Sequence, residues 1–235
     1  MTFSIVARCP RSGMLGIAIS TALPAVGGLC SFAEADVGAV VTQSWVNPYL
    51  GLDGLALLRD GGHAQDVLDR LVADDPGRDG RQVGIVDAQG RSATFTGTAC
   101  TGWSGDITGP GYAVQGNMLI SAQTLVAMQE QFLASEQEHL GERLVRSLEA
   151  GQQAGGDKRG RQSAALVVHD TQAYPAVDLR VDEHVEPVAE LRRVWAVARR
   201  QLLPFVATMP TRDNPWGRPD PGVVEMILRP PDQRS

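Results

Sequence analysis

The chain has 235 residues, 43% of them hydrophobic and 20% charged, with a formal net charge of −6. That length allows one large domain or two small ones, with a sizeable buried core. The acidic balance argues against a nucleic-acid partner, and no apolar run approaches the ~18 residues of a membrane span.

No basic region followed by an apolar stretch and cleavage site opens the chain, so a cytoplasmic protein is expected. Cys9, Cys30 and Cys100 are an odd number at wide spacings, and His63, His139, His169 and His184 do not cluster. They predict neither a disulfide framework nor a metal site, and no cofactor is expected. Gly-x-Gly-x-x-Gly, the P-loop and Gly-x-Ser-x-Gly are all absent.

The chain opens with a hairpin. Phe3, Ile5 and Ala7 alternate with Ser4, Val6 and Arg8, then Pro10 to Gly13 supplies a turn and Leu15, Ile17 and Ile19 alternate again. A strand at the very start would tie down an end that usually frays. Thr2 is small, so removal of Met1 is expected, leaving one residue with a hydroxyl and a free α-amine. Such an amine titrates near pH 7.7 to 8.0 and can take the hydroxyl proton, so Thr2 is a candidate nucleophile. A strand is also the rigid mount that a nucleophile needs. The plain alternative is an ordinary strand residue.

Pro24 to Cys30 reads as a loop or short edge strand, and Val37 to Ser44 as a buried strand broken by Asn47-Pro48. Helices are expected over Leu52–Arg59 and His63–Ala73. A second hairpin follows over Gln82–Thr96, turning at Asp87-Ala88-Gln89-Gly90. Thr98 to Gly111 reads as an irregular excursion and Tyr112 to Asn117 as a strand. A second helix pair is expected over Ala122–Ala134 and Leu140–Ala150. Gly151 to Gly160 reads as a flexible basic loop, then strands over Gln162–Val168 and Ala176–Val181. The last helix opens on Pro187, a residue suited to the first turn, and runs to about Leu203. Seven of the fourteen prolines lie between Pro204 and Pro231. That composition predicts an extended tail without helix, partly docked through Trp216 and Val223–Leu228. Hairpins alternating with helix pairs predict an α+β protein, two antiparallel sheets stacked on each other with helix pairs on the outer faces.

Several stretches resemble the DUF1028 family of bacterial and archaeal proteins. They are Thr2–Gly16, Thr42-Gln43-Ser44 with Asn47-Pro48, Val114-Gln115-Gly116-Asn117, Gly155–Ala165 (G-G-D-K-R-G-R-Q-S-A-A) and Val177–Leu191. The resemblance covers residues 1–203, with 204–235 a Pro-rich tail outside it. It implies an Ntn-hydrolase-like (N-terminal nucleophile) four-layer αββα sandwich. It also suggests hydrolysis of a C–N bond in a small amide, cyclic amide or amino-acid derivative, or a deamination. The other reading is a non-catalytic binding or scaffold protein that keeps the fold. Two residues depart from the family pattern: Cys9 where it usually has Asp, and Asp106 where it usually has His. If that His takes part in the chemistry, activity here is changed or reduced.

Within that resemblance Thr2 would attack a carbonyl and nearby donors would hold the oxyanion. Asn117 and Ser163 are candidates for that role, beside the readings of turn residue and plain strand residue. Thr21, with Ser20, lies on the second strand, where one of them could neighbour Thr2, although cross-strand hydroxyl pairs are ordinary. Gln43 and Ser44 end a strand where polar groups often line a cleft. Lys158, Arg159 and Arg161 could receive a substrate carboxylate, Arg161 being preferred for its fork. Asp182, Glu183 and His184 read as helix-capping charge, with Asp182 otherwise able to orient an amine. The expected partners are a small-molecule substrate and a second copy of the chain, with no nucleic acid and no membrane.

Overall fold

The computed structural model describes residues 2–234, so the expected removal of Met1 lies outside the described residues. The chain forms two compact units that divide between Leu191 and Arg192.

The first unit holds ten strands in two antiparallel sheets. One sheet contains β1 (Thr2–Arg8), β2 (Leu15–Thr21), β7 (Trp103–Gly109), β8 (Tyr112–Leu119), β9 (Ser163–His169) and β10 (Val177–Val181), in the order β10-β9-β2-β1-β8-β7. The other contains β3 (Ser31–Glu34), β4 (Gly38–Ser44), β5 (Arg81–Asp87) and β6 (Ser92–Thr96), in that order. The single turn α1 (Gly27–Cys30) leads into β3. Helices α2 (Pro48–Arg59) and α3 (Ala64–Asp74) pack on the four-stranded sheet, and α4 (Gln123–Ala134) and α5 (Leu140–Gln153) on the six-stranded one. The expected sandwich of two antiparallel sheets between helix pairs is present.

Strand alternation sorts each residue into a layer. Val6, Ile17, Ile19, Ala39, Val41, Val86 and Ala113 form a cluster between the sheets. Val40, Val83 and Ile85, one residue out of phase, pack with Leu50, Leu55, Leu68 and Leu71 under α2 and α3. Local chemistry sets the boundaries. The Asn47 side chain accepts the Tyr49 N–H, and Pro48 occupies the first turn of α2. The Asp87 carboxylate accepts the Gln89 and Arg91 N–H groups of the following turn and the Ala64 N–H at the start of α3. Gly90 closes that turn at φ +81°.

Several stretches differ from expectation. Pro24–Cys30, expected as a loop or edge strand, holds the helical turn α1, β3 follows it unforeseen, and α2 begins at Pro48 and not at Leu52. Trp103–Gly109, expected to be irregular, is the edge strand β7, whose Gly, Ser and Thr content suits a strand paired on one side only. Most of the expected loop at 151–160 stays irregular, but α5 extends into it as far as Gln153. The tail is not free of helix. α6 (Pro187–Val206) runs through Pro204, and α7 (Pro221–Leu228) lies inside the Pro-rich segment. Proline near the end of a helix removes little of its bonding. At the start it costs nothing, and Asp220 caps the Gly222 and Val223 N–H groups there. Among the described residues no helix is long and apolar enough to cross a membrane.

Candidate functional site

Four of the sequence candidates lie in one row across the six-stranded sheet. Thr2 pairs with Asn117 on one side and Thr21 on the other, and Thr21 pairs with Ser163. Thr2 and Thr21 share the phase of Val6 and of Ile17 and Ile19, and Asn117 that of Ala113, so these three face the space between the sheets. That space is apolar at its middle and polar at this end.

The Thr2 side chain is almost fully covered, at 6% exposure. Its hydroxyl shares a hydrogen bond with that of Thr21 at 3.1 Å. Gln43 reaches over from the other sheet and its Nε2 donates to the Thr2 carbonyl at 3.4 Å and to Gln82 Oε1 at 2.8 Å. Asn117 Nδ2 donates to the same Gln82 oxygen at 3.0 Å. Gln82 Nε2 in turn donates to Thr96 Oγ1 and to the Gly116 carbonyl. Two residues inward, Gln115 donates to Ser4 Oγ, which donates to Gln43 Oε1. The Gln115 side chain fits because the facing residue is Gly84, where a Cβ would stand 2.2 Å from Gln115 Oε1. Buried amides in a low dielectric hold each other firmly when paired.

Ser163 belongs to the row, but its hydroxyl donates to the Leu23 carbonyl at 2.6 Å and accepts the Val26 N–H. It fastens the segment leading into α1. Ser20 has the opposite phase and donates to the Ser163 carbonyl. Ser44 is half-buried at the end of β4 with φ +70°. Arg161 is exposed and ion-paired with Glu186, outside the row. His184 Nδ1 accepts the Glu186 N–H just before α6, the capping geometry expected of that cluster.

Two residues of this end are absent from the sequence candidates. Gln82 is the hub of the amide network, and its signal was its phase, shared with inward-facing Val86. Asp157 is the other. Its side chain is 1% exposed, Oδ2 accepts the Ala22 N–H at 3.2 Å, and Oδ1 accepts the Arg159 N–H at 2.7 Å. Burial pushes the Asp157 carboxyl above the usual Asp range, against the pull of the Arg159 N–H and guanidinium. Asp106, on the edge strand β7, accepts from the Thr94 and Thr96 hydroxyls, so the network runs out to the surface there. Among the described residues no group of three His, Cys, Asp or Glu side chains is placed to hold a metal ion. The arrangement offers hydroxyls, amide donors and one buried carboxyl.

Comparison with known proteins bears on the whole of this unit. A family model described as "Family of unknown function (DUF1028)" matches residues 2–191. The crystal structure of protein SPO2555 from Silicibacter pomeroyi, of the same family model, superposes with a TM-score of 0.85 at 31% identity, covering 93% of this chain and 99% of that one. Anbu (ancestral beta-subunit) from Yersinia bercovieri is more distant, with a TM-score of 0.39 at 12% identity over 89% of this chain and 98% of that one. No curated protein matches the sequence.

Proposed function

The chain belongs to the DUF1028 family, and from that premise we propose that it is a ligand-binding protein that uses the sandwich without catalytic turnover. One observation carries the reading: the polar groups gathered around Thr2 are committed to one another. The Thr2 hydroxyl is bonded to Thr21, Gln43 and Asn117 converge on Gln82, and the Ser163 hydroxyl holds the segment before α1. An oxyanion hole needs donors aimed at vacant space. The test is incubation with a β-lactone, whose strained ring acylates an activated hydroxyl. No adduct is expected on the protein with Met1 removed, as established by intact mass. A lactone adduct mapped to Thr2 overturns the reading.

A second reading, hydrolysis of a C–N bond by an N-terminal Thr2, is favoured by Asp157. Its carboxyl holds Ala22, the neighbour of the Thr2 partner Thr21, so a buried acid stands at the end of the sheet where a Thr2 amine would emerge. In that scheme Asp157 orients the amine, the amine takes the hydroxyl proton, and Asn117 supplies the oxyanion donor. Under either reading we propose a homodimer, for which the apolar α7 residues Val224, Ile227 and Leu228 are exposed. Light scattering is expected to return twice the chain mass, and a monomer removes the idea.

A further inference from the structure

The opposite end of β1 has a different character. Arg143, on α5, is 3% exposed. Its guanidinium carbon lies 3.9 Å from the centroid of the Phe132 ring, and Nη2 donates to the Phe132 carbonyl at 3.3 Å. Nε and Nη1 are buried and make no hydrogen bond. Buried charge with unused donors is costly, and in native proteins such a group calls for a partner. The Cys9 thiol lies close by. Burial pushes that thiol up, but the Ser12 hydroxyl and the Ser12 and Arg11 N–H groups, with Arg143, bring it below its ordinary value. The thiol interacts with the guanidinium, but Nε and Nη1 themselves have no hydrogen-bond partner.

The guanidinium lines a cleft of about 490 Å³, with Arg8, Tyr112, Phe132, Leu133 and Glu136 among its walls. That size falls in the range of small-ligand sites. The walls are well mounted: the Arg8 N–H donates to the Gly111 carbonyl and the Gly111 N–H to the Gly90 carbonyl, each at 2.8 Å. Of the charged lining residues Arg8 and Arg143 outnumber Glu136, and Arg11, which donates to the Glu136 and Glu138 carbonyls, adds positive charge nearby, so the cleft favours an anion. The Tyr112 and Phe132 rings, tilted with centroids 5.5 Å apart, and Leu133 give the cleft an apolar wall.

We infer that this cleft binds a small organic monocarboxylate, its carboxylate on the Arg143 guanidinium and its apolar or aromatic body against Tyr112, Phe132 and Leu133. Guanidinium–carboxylate bonds are charge-assisted and gain strength away from water. The site gives the binding reading its ligand class, and rests on that reading only in taking the ligand to be held and not converted.

Calorimetric titration of the full chain tests it, with sodium benzoate as the probe and benzamide and inorganic phosphate beside it. Benzoate is expected to bind, with benzamide and phosphate about tenfold weaker or more, since benzamide lacks the charge and phosphate the apolar body. Arg143→Met, which keeps the bulk over Phe132, is expected to weaken benzoate by about tenfold or more. Cys9→Asp places an internal carboxylate near the guanidinium and is expected to weaken benzoate similarly. In the wild type, the Arg143 Nε–H signal followed by NMR is expected to move with benzoate, a readout that needs no variant. Absence of benzoate binding, a stationary Nε–H signal at saturation, or equal affinity in Arg143→Met overturns the site. Phosphate binding more tightly than benzoate, and lost in Arg143→Met, overturns the carboxylate assignment. A lactone adduct at Thr2 together with benzoate bound at Arg143 sinks the non-catalytic reading and leaves this site standing.

Discussion

At its Thr2 end, β1 meets side chains that are neutral, numerous and bonded to one another, with Gln115 Oε1 the one buried amide atom of that network left over among the described residues. At its Arg8 end, about 20 Å away by strand rise, it meets charge that is sparse and incompletely partnered. The carboxyls follow the same divide. Asp157, near Thr2, is pushed by burial towards its protonated form. Asp87, whose turn borders the Arg8 cleft, is also buried, but the Arg91 guanidinium and the N–H groups of Arg91, Ala64 and Gln89 outweigh that and hold it below the usual range. Similar burial gives opposite outcomes because the number of donors differs. The comparison teaches that a dense polar cluster is not by itself a vacancy for a ligand, whereas a buried guanidinium with two unsatisfied nitrogens beside a cleft is a stronger pointer.

The largest effect is expected where the network converges. Gln82→Leu removes the acceptor of both Gln43 and Asn117, and the donor to Thr96 and Gly116. Leaving several buried partners unpaired should cost about 3–5 kcal/mol in chemical denaturation. A loss under ~1 kcal/mol would show that the amides repair themselves, and the contrast between the two ends would fail. Next is Asp87→Asn, expected to cost about 2–3 kcal/mol at neutral pH through lost charge-assisted bonds to Arg91 and the turn. Because the folded pKa is depressed, this stabilisation is complete above the unfolded value of ~3.9 and disappears as pH falls through the lower folded value. The gap between wild type and variant should therefore close in strong acid, and a gap that stays constant with pH refutes the assignment.

Thr2→Ala should cost only about 1 kcal/mol, because it removes a single bond between two neutral hydroxyls. Smallest in energy, but sharpest for the comparison, is an NMR titration of the two carboxyls. Asp157 should titrate above ~3.9 and Asp87 below it. For Asp157 the sign is reversed, its contribution being fullest below the unfolded value and lost as pH rises through the higher folded one. The opposite order of the two titrations removes the distinction between the ends.

Much of the architecture was legible because strands and helices write their periods into the chain. Phe3–Arg8 and Leu15–Ile19 alternate, and Val67, Leu68 and Leu71 repeat at helical spacing. Thr2, Thr21, Asn117 and Ser163 were legible as candidates. Their common row was not, because register between strands far apart in sequence is set by tertiary pairing. Gln82 looked like the polar start of a strand. Arg143 stands between the apolar positions Leu140 and Leu144 with nothing in the sequence to mark it as buried, but α5 is covered on more than one side and buries Glu142, Arg143 and Ser147 as well. Proline was read as a helix breaker in the tail, although Pro221 sits in a first turn where it is favoured.

The close approach of Gly84 to Gln115 makes these two positions a linked pair in any lineage that keeps this fold. Gly84→Ala should be destabilising while Gln115 is present, since the new methyl would overlap Oε1 and push the amide off its bond to Ser4. It should be far better tolerated once Gln115 has shortened to Ser. The order of substitution therefore matters: the route that trims position 115 first costs less than the route that enlarges position 84 first. Homologues with a side chain at position 84 should accordingly carry a smaller residue at 115.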